Sequence, residues 1–211
     1  MKSIINCYPP ILSMKVGKTL EPKIRVLEGL GMNQEEVVRF VSRHVCYLKS
    51  SLRSLILPVV DTLRLLLGWD ENIAKALKYL RPGLGLPPLR FLEEGLKLFR
   101  SKGLNDEAIG WLMLWNLRFF CRDPSWLRDV IDKVESRLGL RGDSKMFVVA
   151  MRTFGSISDK KWESKMVLFK SYEWDDSDIV ALGRTNPCTL TVSEGKLKRG
   201  LDFFMKEIPS L

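Results

Sequence analysis

The sequence predicts an all-helical protein, a short α-solenoid of two-helix units about 35 residues long, and two recurring marks together with helical apolar spacing predict it. The first mark is a corner string, seen in LGMNQEEVV, LGWDENIAK, KGLNDEAIG and LGLRGDSKM. Its glycines are Gly31, Gly68, Gly103 and Gly139, and YEWDDSDIV repeats the string with Glu173 in the glycine's place. The second mark lies twelve residues after the cap position, at Val45, Pro82, Leu117, Thr153 and Pro187, with Pro9 one unit earlier.

At the corner, a glycine following an apolar run stops a helix because it accepts the left-handed conformation. The next residue is apolar (Met32, Trp69, Leu104, Leu140, Trp174) and can staple the turn. Asn33, Asp70, Asn105 and Asp175 then stand as N-caps. Carboxylates at Glu36, Glu71, Asp106, Glu107, Asp176 and Asp178 favour the positive end of the new helix. Arg141 breaks this pattern, leaving Asp143 or Ser144 to cap in the fourth unit.

Helices are predicted on both sides of each corner. Val59, Leu63, Leu66 and Leu67 recur at helical spacing before one, and Ile73, Ala74, Leu77 and Leu80 after it. In the first unit the corresponding sets are Ile24, Leu27 and Leu30, then Val37, Phe40, Val41 and Val45. Pro22 and Pro58 fall near the starts of first helices, where a missing N–H costs little. Proline at the second mark would end the second helix and turn the chain. The expected array runs over residues 1–211: a partial repeat at 1–13, repeats at 19–54, 55–90 and 91–125, a degenerate one at 126–160, another at 161–194, and a partial one at 195–211. One such unit cannot bury its apolar face alone, so neighbours must stack.

Composition narrows the function. Net charge is +9, which suits an acidic partner such as nucleic acid, although a merely basic soluble protein would show the same. Cys7, Cys46, Cys121 and Cys188 are scattered and His44 is the sole histidine, so no metal site is expected and the thiols fit a reducing compartment. His44 itself is expected on a helix surface or in packing. The most apolar stretch, Leu55 to Trp69, is interrupted by Pro58, Asp61 and Arg64, so no membrane span is expected. The first residues do not have the composition of a secretory or organelle-import leader. With no phosphate-cradling glycine loop and no nucleophile–base set, the chain is expected not to be an enzyme, and no cofactor or small-molecule substrate is expected.

The repeat resembles that of the mitochondrial transcription termination factor (mTERF) family, especially its plant members. The resemblance rests on LEPKIRVLEGLGMNQEEVVRF, LILPVVDTLRLLLGWDENI and NPCTLTVSEGKLKRGLDFF, with the closing pairs Pro9–Leu12 and Pro187–Leu190 and the Phe-rich Leu201–Phe204 segment. Val45, Leu117 and Thr153 depart from the closing proline. The array opens inside a second helix and ends inside a first, which looks like part of a longer protein or a truncated gene model, with any leader expected upstream of residue 1. Apolar surface is accordingly expected at Ile4 to Leu12 and at Leu201 to Ile208. The resemblance implies a right-handed, crescent-shaped superhelix, a mitochondrial or chloroplast location, and binding of duplex DNA or RNA in transcription termination, its regulation, or transcript processing. A monomer is expected.

A phosphate track would need cations in phase with the repeat. Arg43, Arg81, Arg118, Arg152 and Arg184 each lie within three residues of a closing position, and Lys196, Lys198 and Arg199 form a further cluster. These eight are the candidate nucleic-acid contacts. Cations also favour helix C-termini for electrostatic reasons alone. Lys160, Lys161 and Lys165 form another basic group, while Trp69, Trp111, Trp115, Phe119, Phe120 and Trp174 are expected to pack in corners or core. The alternative function is a protein-binding helical scaffold that does not touch nucleic acid.

Overall fold

The computed structural model describes residues 5–6 and 8–207, and contains no strand among them. Among the described residues, besides the helical pair 5–6, twelve α-helices have defined bounds: α1 Glu21–Gly29, α2 Gln34–Arg43, α3 Val45–Lys49, α4 Leu57–Leu67, α5 Asp70–Lys78, α6 Leu89–Ser101, α7 Asp106–Asn116, α8 Pro124–Leu138, α9 Phe147–Phe154, α10 Asp159–Lys170, α11 Asp176–Thr185 and α12 Glu194–Asp202. They form two compact units, Met1–Leu127 and Arg128–Leu211.

Every predicted corner is a backbone corner. Gly31, Gly68, Gly103 and Gly139 all have positive φ, and Glu173, with φ 64°, is the one non-glycine among the described residues that does. Corners one, three and five close in the same way. Gly31 N–H donates to Glu28 and Met32 N–H reaches back to Leu27; Gly103 and Leu104 do the same to Arg100 and Phe99; Glu173 and Trp174 to Lys170 and Phe169. This doubly bonded stop folds the following apolar residue back over the helix end. Met32 and Leu104 are buried, and Trp174 stacks on Phe169 with ring centroids 5.3 Å apart.

The second corner closes differently. Gly68 N–H donates to Arg64 and Trp69 N–H to Leu67, so the tryptophan is not carried back onto the helix. Trp69 is 74% exposed, against the expectation of a packed corner residue. The cap is also one residue early: Trp69 is the N-cap and makes no side-chain cap bond, while Asp70 begins α5. Asn33, Asn105 and Asp175 do cap, the first and last in reciprocal capping boxes with Glu36 and Asp178. In the fourth unit neither Asp143 nor Ser144 caps α9: the N-cap is Met146, and the Ser144 hydroxyl instead accepts from Met146 N–H at 3.3 Å.

The connectors are more structured than expected. One-turn helices occupy the closing positions at Pro9–Ser13, Val45–Lys49, Leu117–Cys121 and Pro187–Thr191. The proline effect before first helices is more specific still. Wide π turns at Val16–Leu20 and Leu52–Ile56 run directly into α1 and α4, each ending two residues ahead of a proline. A proline ring clashes with the carbonyl four residues back. The chain relieves this by bonding five residues back, Glu21 N–H to Val16 and Leu57 N–H to Leu52. A third π turn, Phe203–Glu207, again ends two residues before a proline in the sequence, Pro209.

The first unit's core is made of Leu27, Val37, Phe40, Leu63, Ile73, Leu77, Phe99, Leu112 and their neighbours at helical spacing, all buried. In α7 a Cβ at Gly110 would stand 2.6 Å from the Leu66 carbonyl, so only glycine lets α7 settle against the end of α4. That seating turns Ile109, Leu112 and Met113 inward and leaves Trp111 and Trp115 on the surface. The expectation that both pack inside is therefore wrong, although Phe119 and Phe120 are fully buried. Among the end segments, Leu12, Val16, Phe203, Phe204 and Met205 are exposed; Ile4, Cys7 and Ile208 lie outside the described residues.

Candidate nucleic-acid interface

The closing end of the first unit is held by the irregular loop after α5, in which Gly83 takes φ 85°. Gly83 N–H donates to the Arg43 carbonyl at 2.9 Å. The His44 ring donates from Nδ1 to the Leu84 carbonyl at 2.7 Å. Two thiols complete the fastening: Cys46 reaches the Gly83 carbonyl at 3.9 Å and Cys121 the Gly85 carbonyl at 3.6 Å. Backbone from three successive closing elements thus meets at one place, bringing the positions of Arg43, Arg81 and Arg118 to the same end of the unit.

The groups beneath are neutral in character, His44 buried and the two cysteines half-buried. Burial depresses the His44 pKa below 6.5 despite its carbonyl partner, and it pushes the Cys121 thiol up to about 12, with Cys46 nearby adding to the rise. His44 is thus a packing residue that ties neighbouring repeats together. Lys23, also buried, donates to the Leu48 carbonyl at the end of α3 at 2.6 Å, and its charge is disfavoured by desolvation.

Above this scaffold the candidate arginines divide. Arg43, Arg81 and Arg152 are exposed, and among the described residues none has an acidic partner. Arg118 is half-buried, its guanidinium 5.6 Å from the Phe119 ring centroid. In the second unit, Arg184 donates from Nε to the Leu138 carbonyl at 2.5 Å, capping the end of α8. Lys196 and Arg199 are exposed on α12, whereas Lys198 is paired with Asp202 at 2.7 Å, which raises its pKa. Of the Lys160, Lys161 and Lys165 group, only the first two are exposed. Lys165 is buried with its ammonium on the Val192 carbonyl, because α10 turns that face toward the closing turn of its own repeat.

The corner ends carry an arrangement that the composition concealed. Arg64 pairs with Asp70 at 2.8 Å, Arg100 with Asp106 at 2.9 Å and Lys170 with Asp176 at 2.9 Å. Each joins the last turn of a first helix to the first turn of the second, six residues on. The signal was legible as a base before the corner and an aspartate after it. These three corner cations are therefore neutralised in place, while Arg43, Arg81 and Arg152 at the closing ends have no acidic partner among the described residues.

Phased corners, closing turns and basic helix ends together make a specific pattern, and a family model for mTERF matches residues 1–209, essentially its whole length. The chain belongs to the mTERF family. No curated protein and no solved structure matches it. An mTERF chain is associated with regulation of organellar gene expression through nucleic acid, and the family is generally non-enzymatic. Among the described residues no helix is long and apolar enough to cross a membrane, and no cluster of His, Cys, Asp and Glu is arranged to hold a metal ion.

Proposed function

We propose that this mTERF protein binds nucleic acid, duplex DNA or RNA, by phosphate contacts and regulates transcription termination, transcription or transcript processing in a mitochondrion or chloroplast. The observation that carries this reading is the unneutralised charge at the closing ends: Arg43, Arg81 and Arg152 recur near the closing positions and lack acidic partners among the described residues, whereas the corner cations Arg64, Arg100 and Lys170 are paired. An arginine held on a helix end without a carboxylate keeps its donors for a phosphate. Arg118 and the α12 cations Lys196 and Arg199 would extend the contact. Arg184, already engaged with a helix end, would contribute its charge more than its full set of donors. We read the chain as one array, because the positive-φ corner recurs in both compact units, and propose that it acts as a monomer.

The test is salt-dependent binding to duplex DNA and to RNA. Each phosphate neutralised contributes about −0.9 to the log–log slope on duplex DNA. Replacing Arg81 and Arg152 with alanine should weaken binding to all sequences alike and flatten the slope by about 1.8. Parent-like binding with an unchanged slope would refute the arginine contacts.

A further inference from the structure

The outward faces of three successive second helices in the first unit carry residues in strict register. Positions 39, 75 and 111 are 36 apart, as are 43, 79 and 115. They hold Arg39 and Arg43 on α2, Lys75 and Tyr79 at α5, and Trp111 and Trp115 on α7; Lys75 is half-buried and the other five are exposed. Each pair is four residues apart and so shares one helical face.

Lys78 of α5 pairs with Glu36 of α2, and the strip residues of α5 touch those of α7. A shallow cleft between α2 and α5 is lined by Arg39, Arg43 and Lys78, among others. Tyr79 and Trp115 stack across α5 and α7 with ring centroids 5.1 Å apart, and the Lys75 ammonium lies 4.5 Å from the Trp115 ring centroid. Large apolar rings are normally the first residues a helix buries. Here Tyr79 is 54% exposed, Trp111 42% and Trp115 39%. The exposure of Trp111 and Trp115 is enforced by the seating of Gly110 against the Leu66 carbonyl, which fixes the rotation of α7.

We infer that this strip binds single-stranded nucleic acid, with unpaired bases stacking on Trp115, Trp111 and Tyr79 while the strand's phosphates meet Lys75, Arg43 and Arg81. The inference rests on the proposed nucleic-acid function and names the form of ligand that this part of the surface takes. Charge decides between occupants. Arg39 is paired with Glu35 and Lys78 with Glu36, but Lys75, Arg43 and Arg81 have no carboxylate partner among the described residues. A π surface bordered by unneutralised cations matches a base joined to a phosphate better than it matches an apolar protein helix. Aromatic platforms in basic grooves take any base because every base has a π face. A duplex keeps its bases stacked on one another and cannot offer them to the rings.

The experiment compares Trp115→Leu and Trp115→Phe with the parent on four probes: a twelve-nucleotide oligo-uridine, the matching oligo-thymidine DNA, an abasic deoxyribose-phosphate strand of equal length and charge, and a duplex. Thermal unfolding of each variant checks the fold. Leucine keeps apolar bulk but has no π face, and phenylalanine restores one. Trp115→Leu should weaken binding to one or both base-bearing strands about tenfold or more, with Trp115→Phe recovering part of the loss. Abasic and duplex binding and the salt slope should be unchanged. The RNA and DNA strands show which sugar the strip prefers. Equal binding of oligo-uridine, oligo-thymidine and abasic strands by the parent, or Trp115→Leu binding both base-bearing strands as the parent does, would overturn the stacking strip. In that outcome salt-dependent duplex binding would leave the proposed function standing and free the rings for a protein partner. No binding to any of the four probes would overturn both.

Discussion

The two ends of a repeat in this protein are held by different chemistry. At the corners, glycines and one glutamate take the left-handed conformation, and those at Gly68, Gly103 and Glu173 are reinforced by exposed ion pairs six residues apart. At the closing ends of the first unit, buried or partly buried neutral groups bond to a loop backbone, and Arg43 and Arg81 above them have no carboxylate partner among the described residues. The contrast indicates how a basic solenoid can divide its charge. Cations beside carboxylates support the fold, and cations without them remain available.

The largest effect that could break this comparison is on binding. Arg64→Ala with Arg100→Ala removes the same two positive charges as Arg81→Ala with Arg152→Ala. If the ends differ as argued, the corner pair should leave nucleic-acid affinity and its salt slope close to the parent, and the closing pair should lower both. Filter or anisotropy titrations from low to moderate salt measure this. Equal losses would mean that only net charge matters.

The next effect is on stability. His44→Ala opens a cavity at the closing end and leaves the Leu84 carbonyl without its donor, so it should cost about 2 kcal/mol in denaturant unfolding. Acid should weaken the same element. The folded-state pKa of His44 lies below 6.5, so on acidification the unfolded chain takes up its proton first. The contribution is complete above pH 6.5 and is lost as pH falls toward the folded-state value. His44→Ala should flatten that part of the stability profile.

Corner substitutions give smaller changes of opposite sign. Gly103→Ala forces a Cβ into the left-handed region and should destabilise by about 1 kcal/mol. Glu173→Gly should stabilise by about 0.5–1 kcal/mol, because glycine releases the strain the glutamate carries at φ 64°. Opposite shifts in urea midpoint at two equivalent corners would confirm that they share a backbone geometry. Smallest of all, Arg100→Ala should cost only a few tenths of a kcal/mol, since exposed ion pairs add little in water. A loss of several times that would mean the corner pairs carry more of the fold than their exposure suggests.

Corner positions were legible in the sequence because left-handed backbone at a helix stop has a residue signature, and its phase located even Glu173, where the signature residue is missing. Three of the caps were legible for the same local reason. Which face of α7 points outward was not legible: Trp111, Leu112, Met113, Leu114 and Trp115 are apolar all round, and no periodicity selects a side. Gly110 against the Leu66 carbonyl selects it, through a contact that spans 44 residues of chain. Likewise Lys165 and Lys161 are alike in composition, yet one is buried on a carbonyl and the other exposed. Sequence alone determined the fold class, the period and the in-phase placement of Arg43, Arg81 and Arg152, since helix stops and caps are local and repeat with the chain. Only the tertiary structure decided which closing-end cations lack a partner and which rings are exposed, since contacts and rotations there depend on neighbouring helices that the local sequence does not specify.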